Sequence, residues 1–108
     1  MTKTVDTDEL KTLIGNGNAP VLIEALPEKY FLEGHLPGAR HIPHDQVKER
    51  AGQVVPDKAA PIVVYCASET CRNSHQAAET FKMLGYTDVA VYPGGKKDWE
   101  EAGLAFEK

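Results

Sequence analysis

The sequence predicts an α/β fold in which helices cover both faces of a central parallel sheet. Three short apolar runs are the predicted core strands: Val21 to Ile23, Ile62 to Tyr65 and Val89 to Tyr92. They are apolar throughout instead of alternating, which is typical of strands buried on both faces of a parallel sheet. Helical segments separate them, and strands that alternate with helices favour this architecture.

Capping and turn residues mark two short helices in the first third of the chain. Asp6 or Thr7 can cap the first helix, which ends within residues 15–18. Pro27 can start the second helix, and Gly34 stops it. A short strand, a helix and a connector are predicted to follow, at Ala39 to Ile42, His44 to Ala51 and Gln53 to Ala60.

The segment from Ser74 to Leu84 has the clearest helical pattern. Four residues at helical spacing form its apolar stripe, namely Ala77, Ala78, Phe81 and Leu84. Gly85 is a suitable residue to end this helix. After a Gly94-Gly95 turn, a last helix is predicted from Lys96 to Ala102, with Trp99 facing inwards.

Length and charge narrow the class of protein. The chain has 108 residues, which predicts one domain over residues 1–108. Its formal net charge of −4 disfavours nucleic acid and anionic membranes as partners. The start lacks the apolar core of a signal peptide, and no apolar run approaches a membrane span. Two cysteines are too few for a disulfide scaffold, so a reduced, cytoplasmic location is expected.

Cys66 is the first candidate for chemistry. It follows a predicted buried strand and precedes a short polar loop that leads into the helix starting at Ser74. Sites in parallel sheets form beyond the carboxyl ends of the strands. The unpaired N–H groups at a helix start favour a thiolate over a thiol. Cys66 is therefore the predicted nucleophile.

Three segments of the chain resemble the single-domain rhodanese (sulfurtransferase) family. They contain the sequences Gly34-His35-Leu36-Pro37-Gly38-Ala39, Tyr65-Cys66 with the helix that follows, and Val91-Tyr92-Pro93-Gly94-Gly95. The resemblance implies a three-layer α/β fold and a persulfide-forming cysteine at Cys66. It also implies a small sulfur donor, such as thiosulfate or a persulfide, and a thiol or protein acceptor. No cofactor and no metal are expected.

The loop after Cys66 departs from the family pattern Cys-x-x-Gly-x-Arg-Ser. If Ser74 matches the family serine, Asn73 takes the arginine position and the loop is two residues longer. Arg72 instead fits the Cys-x5-Arg spacing of the rhodanese-like phosphatases and arsenate reductases. A phosphatase or arsenate reductase thus remains an alternative, as does a non-catalytic sulfur carrier or accessory module.

The candidate substrate-binding loop consists of six residues: Ala67, Ser68, Glu69, Thr70, Arg72 and Asn73. Arg72 could hold an anionic donor. Glu69 would repel a dianion, which favours a neutral or protein-borne sulfur donor. Cys71 is a candidate resolving thiol, because its attack on a Cys66 persulfide would expel sulfide and leave a disulfide. That role requires Cα atoms within roughly 7 Å of each other.

The histidines and two of the lysines are weaker candidates for a role in catalysis. His35, His41 and His44 are expected to be structural hydrogen-bonding residues rather than bases. Lys96 and Lys97 are expected to form a solvated helix start. The sequence leaves the oligomeric state and the identity of donor and acceptor open.

Overall fold

A computed structural model of the protein describes residues 3–17, 19–68 and 71–108. Five parallel strands form one sheet in the spatial order β1-β5-β4-β2-β3. The strands are β1 (Lys3–Thr4), β2 (Val21–Glu24), β3 (Arg40–His41), β4 (Ile62–Tyr65) and β5 (Val89–Tyr92). The predicted α/β fold with a central parallel sheet is confirmed.

Among the described residues, five α-helices and one 3-10 turn surround the sheet. They are α1 (Thr7–Gly15), α2 (Glu28–Glu33), the 3-10 turn (His44–Gln46), α3 (Val47–Val54), α4 (Asn73–Met83) and α5 (Gly95–Glu101). Asp6 caps α1 through a reciprocal capping box: its side chain accepts from the Glu9 amide, and Glu9 accepts from the Asp6 amide. The predicted cap at Asp6 therefore stabilises the start of α1 by satisfying two backbone N–H groups.

The helices cover both faces of the sheet, as predicted. On one face, Val64 of β4 belongs to a cluster with Val47 of α3 and Phe81 of α4. On the other face, Val63 belongs to a cluster that includes Leu10 of α1 and Trp99 of α5. Successive residues of one strand thus enter different cores, because side chains alternate across a strand. This explains why β4 is apolar at every position.

Two elements of the structure differ from the sequence prediction. The two-residue β1 was not predicted, because its pairing with β5 at the sheet edge depends on a partner distant in sequence. The helix predicted from His44 to Ala51 begins as a 3-10 turn and continues to Val54, into the predicted connector. Buried Val47 and Ala51 hold α3 against the core.

Strand order places β4 at the centre of the sheet, between β5 and β2. The carboxyl ends of these three strands are in register, with Tyr65 opposite both Glu24 and Tyr92. The residues that follow them meet at one edge, which is where the candidate site lies. Within the part of the chain that the structure describes, no helix is both long and apolar enough to cross a membrane.

Candidate active site

The predicted nucleophile, Cys66, is the first residue after β4, and only 1% of its surface is exposed. The start of α5 holds this part of the chain in place. The Lys96 amide donates to the Cys66 carbonyl at 3.0 Å, and the Lys97 amide donates to the Ala67 carbonyl at 2.9 Å. These amides belong to the first turn of α5, where N–H groups have no partner inside the helix. The loop therefore begins on a fixed backbone.

Gly95 is necessary for this close approach. Its φ is +60°, a left-handed conformation that favours glycine. A Cβ atom at this position would also collide with the carbonyl oxygen of Cys66. The Gly94-Gly95 pair, expected from the sequence to be a turn, therefore lets α5 begin directly against the candidate site.

The sulfur atoms of Cys66 and Cys71 are joined in a disulfide, with Cα atoms 6.3 Å apart. The Cys71 amide donates to the Ser68 carbonyl at 3.1 Å, so the loop turns back towards the strand end. This Cα separation is below the roughly 7 Å that a resolving role for Cys71 requires. In this bonded form Cys66 has no thiolate, so reduction must precede any nucleophilic attack.

Ser74, in the first turn of α4, is buried next to the Cys66 sulfur. Its Oγ lies 3.5 Å from Cys66 Sγ, and the Cys71 carbonyl oxygen lies 3.3 Å from the same sulfur. A disulfide sulfur has no proton to donate. Once the disulfide is reduced, the Ser74 hydroxyl is placed to donate to a Cys66 thiolate, which a hydrogen bond stabilises.

The remaining residues of the candidate substrate-binding loop differ in their exposure to solvent. Ala67 and Arg72 are exposed, whereas Ser68 and Asn73 are half-buried. Arg72 precedes α4 and occupies its N-cap position. The other two predicted loop residues, Glu69 and Thr70, lie outside the described residues. The structure thus brings Cys66, Cys71 and Ser74 together and leaves Arg72 at the surface.

A buried polar network beside the loop was not predicted from the sequence. The Oε1 atom of Glu24, at the end of β2, accepts from the Tyr65 hydroxyl at 2.9 Å and pairs with Lys96 Nζ at 3.1 Å. Lys96 Nζ also donates to the Tyr30 carbonyl at 2.6 Å, and Tyr65 accepts from the Leu36 amide at 3.1 Å. The network therefore links β2, β4, α2 and α5 around the candidate site.

Glu24 is fully buried, and its Oε2 has no hydrogen-bond partner among the described residues. Burial and then the Glu24 carboxylate raise the pKa of the Tyr65 phenol. The phenol consequently keeps its proton and remains a donor to Glu24. The carboxylate thus depends on two donors, Tyr65 and Lys96, for compensation of its buried charge.

The expectation that Lys96 is solvated is wrong. Its side chain is only 17% exposed, because the ammonium reaches inwards to Glu24. The neighbouring Lys97 is exposed, as expected. One signal in the sequence could have revealed that Glu24 needs a partner: it ends an apolar strand, and a buried carboxylate requires a cation or several donors.

Two of the candidate histidines hydrogen-bond to backbone carbonyls. His35 Nδ1 lies 3.0 Å from the Phe31 oxygen, and His41 Nε2 lies 2.6 Å from the Leu26 oxygen. The Phe31 ring also stacks on His35, with the ring centres 3.9 Å apart. These contacts fit the expected structural role. Within residues 3–17, 19–68 and 71–108, no three His, Cys, Asp or Glu side chains are grouped as metal ligands.

A cavity of about 380 Å³ adjoins the loop at Ala67. Its walls contain two lysines, two glutamates, a glycine and a phenylalanine, namely Lys96, Lys97, Glu33, Glu100, Gly34 and Phe106. The volume is within the range of small-molecule sites. Because its charges are of both signs, the cavity lacks the uniformly positive lining that selects a small dianion.

Comparison with known proteins identifies relatives of this chain. The chain is 45% identical over 73 residues to the thiosulfate sulfurtransferase PspE of Escherichia coli, which covers 68% of this chain and 66% of PspE. It is 36% identical over 78 residues to the uncharacterized protein YqhL of Bacillus subtilis, which covers 72% of this chain and 59% of YqhL. The chain therefore spans less than two thirds of the length of these two relatives.

The BH2092 protein of Bacillus halodurans has a similar fold. Its crystal structure superposes with a TM-score of 0.90 and 24% sequence identity, over 98% of this chain and 77% of that one. The family model for the rhodanese-like domain matches residues 6–102, which include every strand from β2 to β5 and the Cys66 loop. The chain therefore belongs to the rhodanese-like domain family.

Proposed function

We propose that the protein is a sulfurtransferase that moves sulfane sulfur from a donor to a thiophilic acceptor through a persulfide on Cys66. The supporting observation is the placement of Cys66. Its sulfur lies at the carboxyl end of the central strand, 3.5 Å from the Ser74 hydroxyl in the first turn of α4. The name of PspE, a thiosulfate sulfurtransferase, agrees with this assignment.

The reaction has two displacement steps. The Cys66 thiolate attacks the outer sulfur of the donor, forming a sulfur–sulfur bond as the donor's own bond to that sulfur breaks. With thiosulfate, sulfite leaves with the bonding electron pair and Cys66 becomes a persulfide. A thiol or protein nucleophile then attacks the outer sulfur of the persulfide and regenerates the Cys66 thiolate.

The first turn of α4 contributes electrostatically to both steps. Negative charge resides on Cys66 Sγ before the first step and after the second. A hydrogen bond from Ser74 and the positive end of α4 both stabilise that charge. The Cys66 thiolate is consequently a better leaving group in the second step, because its charge is compensated as it forms.

A single turnover without reductant tests this function. The protein is first reduced with a dithiol, freed of it under anaerobic conditions and mixed with thiosulfate or with a small persulfide. We expect wild type to release roughly one equivalent of sulfite from thiosulfate, and Cys66→Ala to release none. Two results would overturn the proposal: equal sulfite release from both proteins, or a wild type that neither releases sulfite from thiosulfate nor gains a sulfur atom from the small persulfide.

A further inference from the structure

We propose that Cys71 gives this protein a second activity, the reductive release of sulfane sulfur as hydrosulfide, with an external dithiol as the electron source. The inference rests on the proposed Cys66 persulfide. It follows from the disulfide between Cys66 and Cys71, because the same bond is the product of an attack by Cys71 on that persulfide. The observed bonded form is thus one state of the proposed cycle.

The geometry directs Cys71 to the inner sulfur of the persulfide. A separate acceptor removes the outer sulfur, which extends away from Cys66. The Cys71 sulfur instead reaches Cys66 Sγ itself, because the loop turn closed by the Cys71 amide and the Ser68 carbonyl holds the two Cα atoms 6.3 Å apart. This separation is within the usual range for a disulfide.

The step balances without any further oxidant. The Cys71 thiolate attacks Cys66 Sγ, a bond forms between the two cysteine sulfurs, and the bond from Cys66 to the outer sulfur breaks. The outer sulfur leaves as hydrosulfide with the bonding pair and the persulfide proton. The two cysteines are oxidised to the disulfide, and the sulfane sulfur is reduced to sulfide.

An external dithiol completes the cycle through a mixed disulfide. Cys71 is half-buried, whereas Cys66 is 1% exposed, so Cys71 is the sulfur that an incoming thiolate can reach. Attack there expels Cys66 as the thiolate, next to Ser74. The second thiol of the dithiol then frees Cys71. Both electrons come from the dithiol, which becomes its own disulfide.

The test compares wild type with Cys71→Ser and Cys71→Ala in one anaerobic turnover with thiosulfate. Sulfite, hydrosulfide and intact protein mass are measured in every sample. We expect wild type to release roughly one equivalent of hydrosulfide and to lose both free thiols. Both variants should release under about a tenth of that amount and gain the mass of one sulfur atom on Cys66. Reduced wild type without thiosulfate should keep both thiols.

Measurement of sulfite distinguishes a failure of the resolving step from a failure of the sulfurtransferase proposal. If wild type releases sulfite but keeps its persulfide as long as the variants do, the resolving step is wrong and the sulfurtransferase proposal stands. A persulfide found on Cys71 by peptide mapping would also overturn the step, because it shows attack on the outer sulfur. If wild type releases no sulfite from thiosulfate and also gains no sulfur atom from a small persulfide, the persulfide route and the resolving step are both wrong.

Discussion

The ammonium of Lys96 lies 3.1 Å from the fully buried carboxylate of Glu24, while the Lys96 amide donates to the carbonyl of Cys66. One residue therefore joins a buried ion pair to the loop of the predicted nucleophile. Breaking a buried pair by removing one partner is strongly destabilising, because the other charge stays in the interior. Substitution of Lys96 therefore tests whether the ion pair stabilises the fold around this loop.

Lys96→Met should lower the free energy of unfolding by about 3–5 kcal/mol, since it leaves the Glu24 charge uncompensated. Urea denaturation of the reduced protein measures this loss. The double variant Glu24→Gln with Lys96→Met removes both charges, and we expect it to be more stable than Lys96→Met alone. Lys97→Met is the matched control, because this lysine is exposed, and it should change stability by less than about 0.5 kcal/mol. Equal losses for Lys96→Met and Lys97→Met would contradict the prediction.

Stability should decrease as the pH rises above 10.0, the ordinary pKa of a tyrosine. Burial raises the pKa of Tyr65, so the unfolded chain loses this proton at lower pH than the folded protein does. Alkali therefore favours the unfolded state, by up to about 1.4 kcal/mol per pH unit for one phenol. Tyr65→Phe should reduce this slope, as measured by urea denaturation at several alkaline pH values. Tyr30→Phe is the control at the surface, and an identical slope for Tyr65→Phe and wild type would contradict the argument.

The sequence predicts most of the fold because its signals are local. The runs at β4 and β5 are apolar at every position, and Asp6 and Gly34 mark helix ends by their own chemistry. The pair of Glu24 and Lys96 joins residues distant in sequence, and no local pattern specifies which cation meets a buried carboxylate. That residues 1–108 form a single domain remains a prediction, as does the role of Cys66 as the nucleophile.

Gly95→Ala should be much more destabilising than Gly103→Ala. Both glycines have left-handed backbones, with φ of +60° and +79°, so alanine costs about 1–2 kcal/mol at either position. At Gly103 a Cβ atom meets nothing within 4 Å, whereas at Gly95 it collides with the Cys66 carbonyl. That collision should cost a further 1–3 kcal/mol or so, as in an overpacked core, and displace the loop. Thermal unfolding and sulfite release check both effects, and equal behaviour of the two variants would show that the close approach is unimportant.

Glu69→Gln should increase the rate of sulfite release from thiosulfate, because it removes a negative charge from the loop that is proposed to bind this dianion. A neutral organic persulfide should react at a similar rate with wild type and the variant. Glu101→Gln, at the exposed end of α5, tests for a general effect of net charge. If Glu69→Gln gives no increase with thiosulfate, or if Glu101→Gln gives the same increase, repulsion at the loop does not determine donor preference.

Ser74→Ala should slow the alkylation of reduced Cys66 by iodoacetamide at neutral pH, since only the thiolate reacts. The Ser74 Oγ lies 3.5 Å from Cys66 Sγ in a buried setting, and loss of about 1.4 kcal/mol of thiolate stabilisation corresponds to roughly tenfold slower reaction. Both proteins also contain Cys71→Ser, so that Cys66 is the one reactive thiol. Thr80→Ala is the matched control, because this hydroxyl is on the same helix but bonds to the Gln76 carbonyl. Unchanged alkylation in Ser74→Ala would show that the helix start alone determines the reactivity of Cys66.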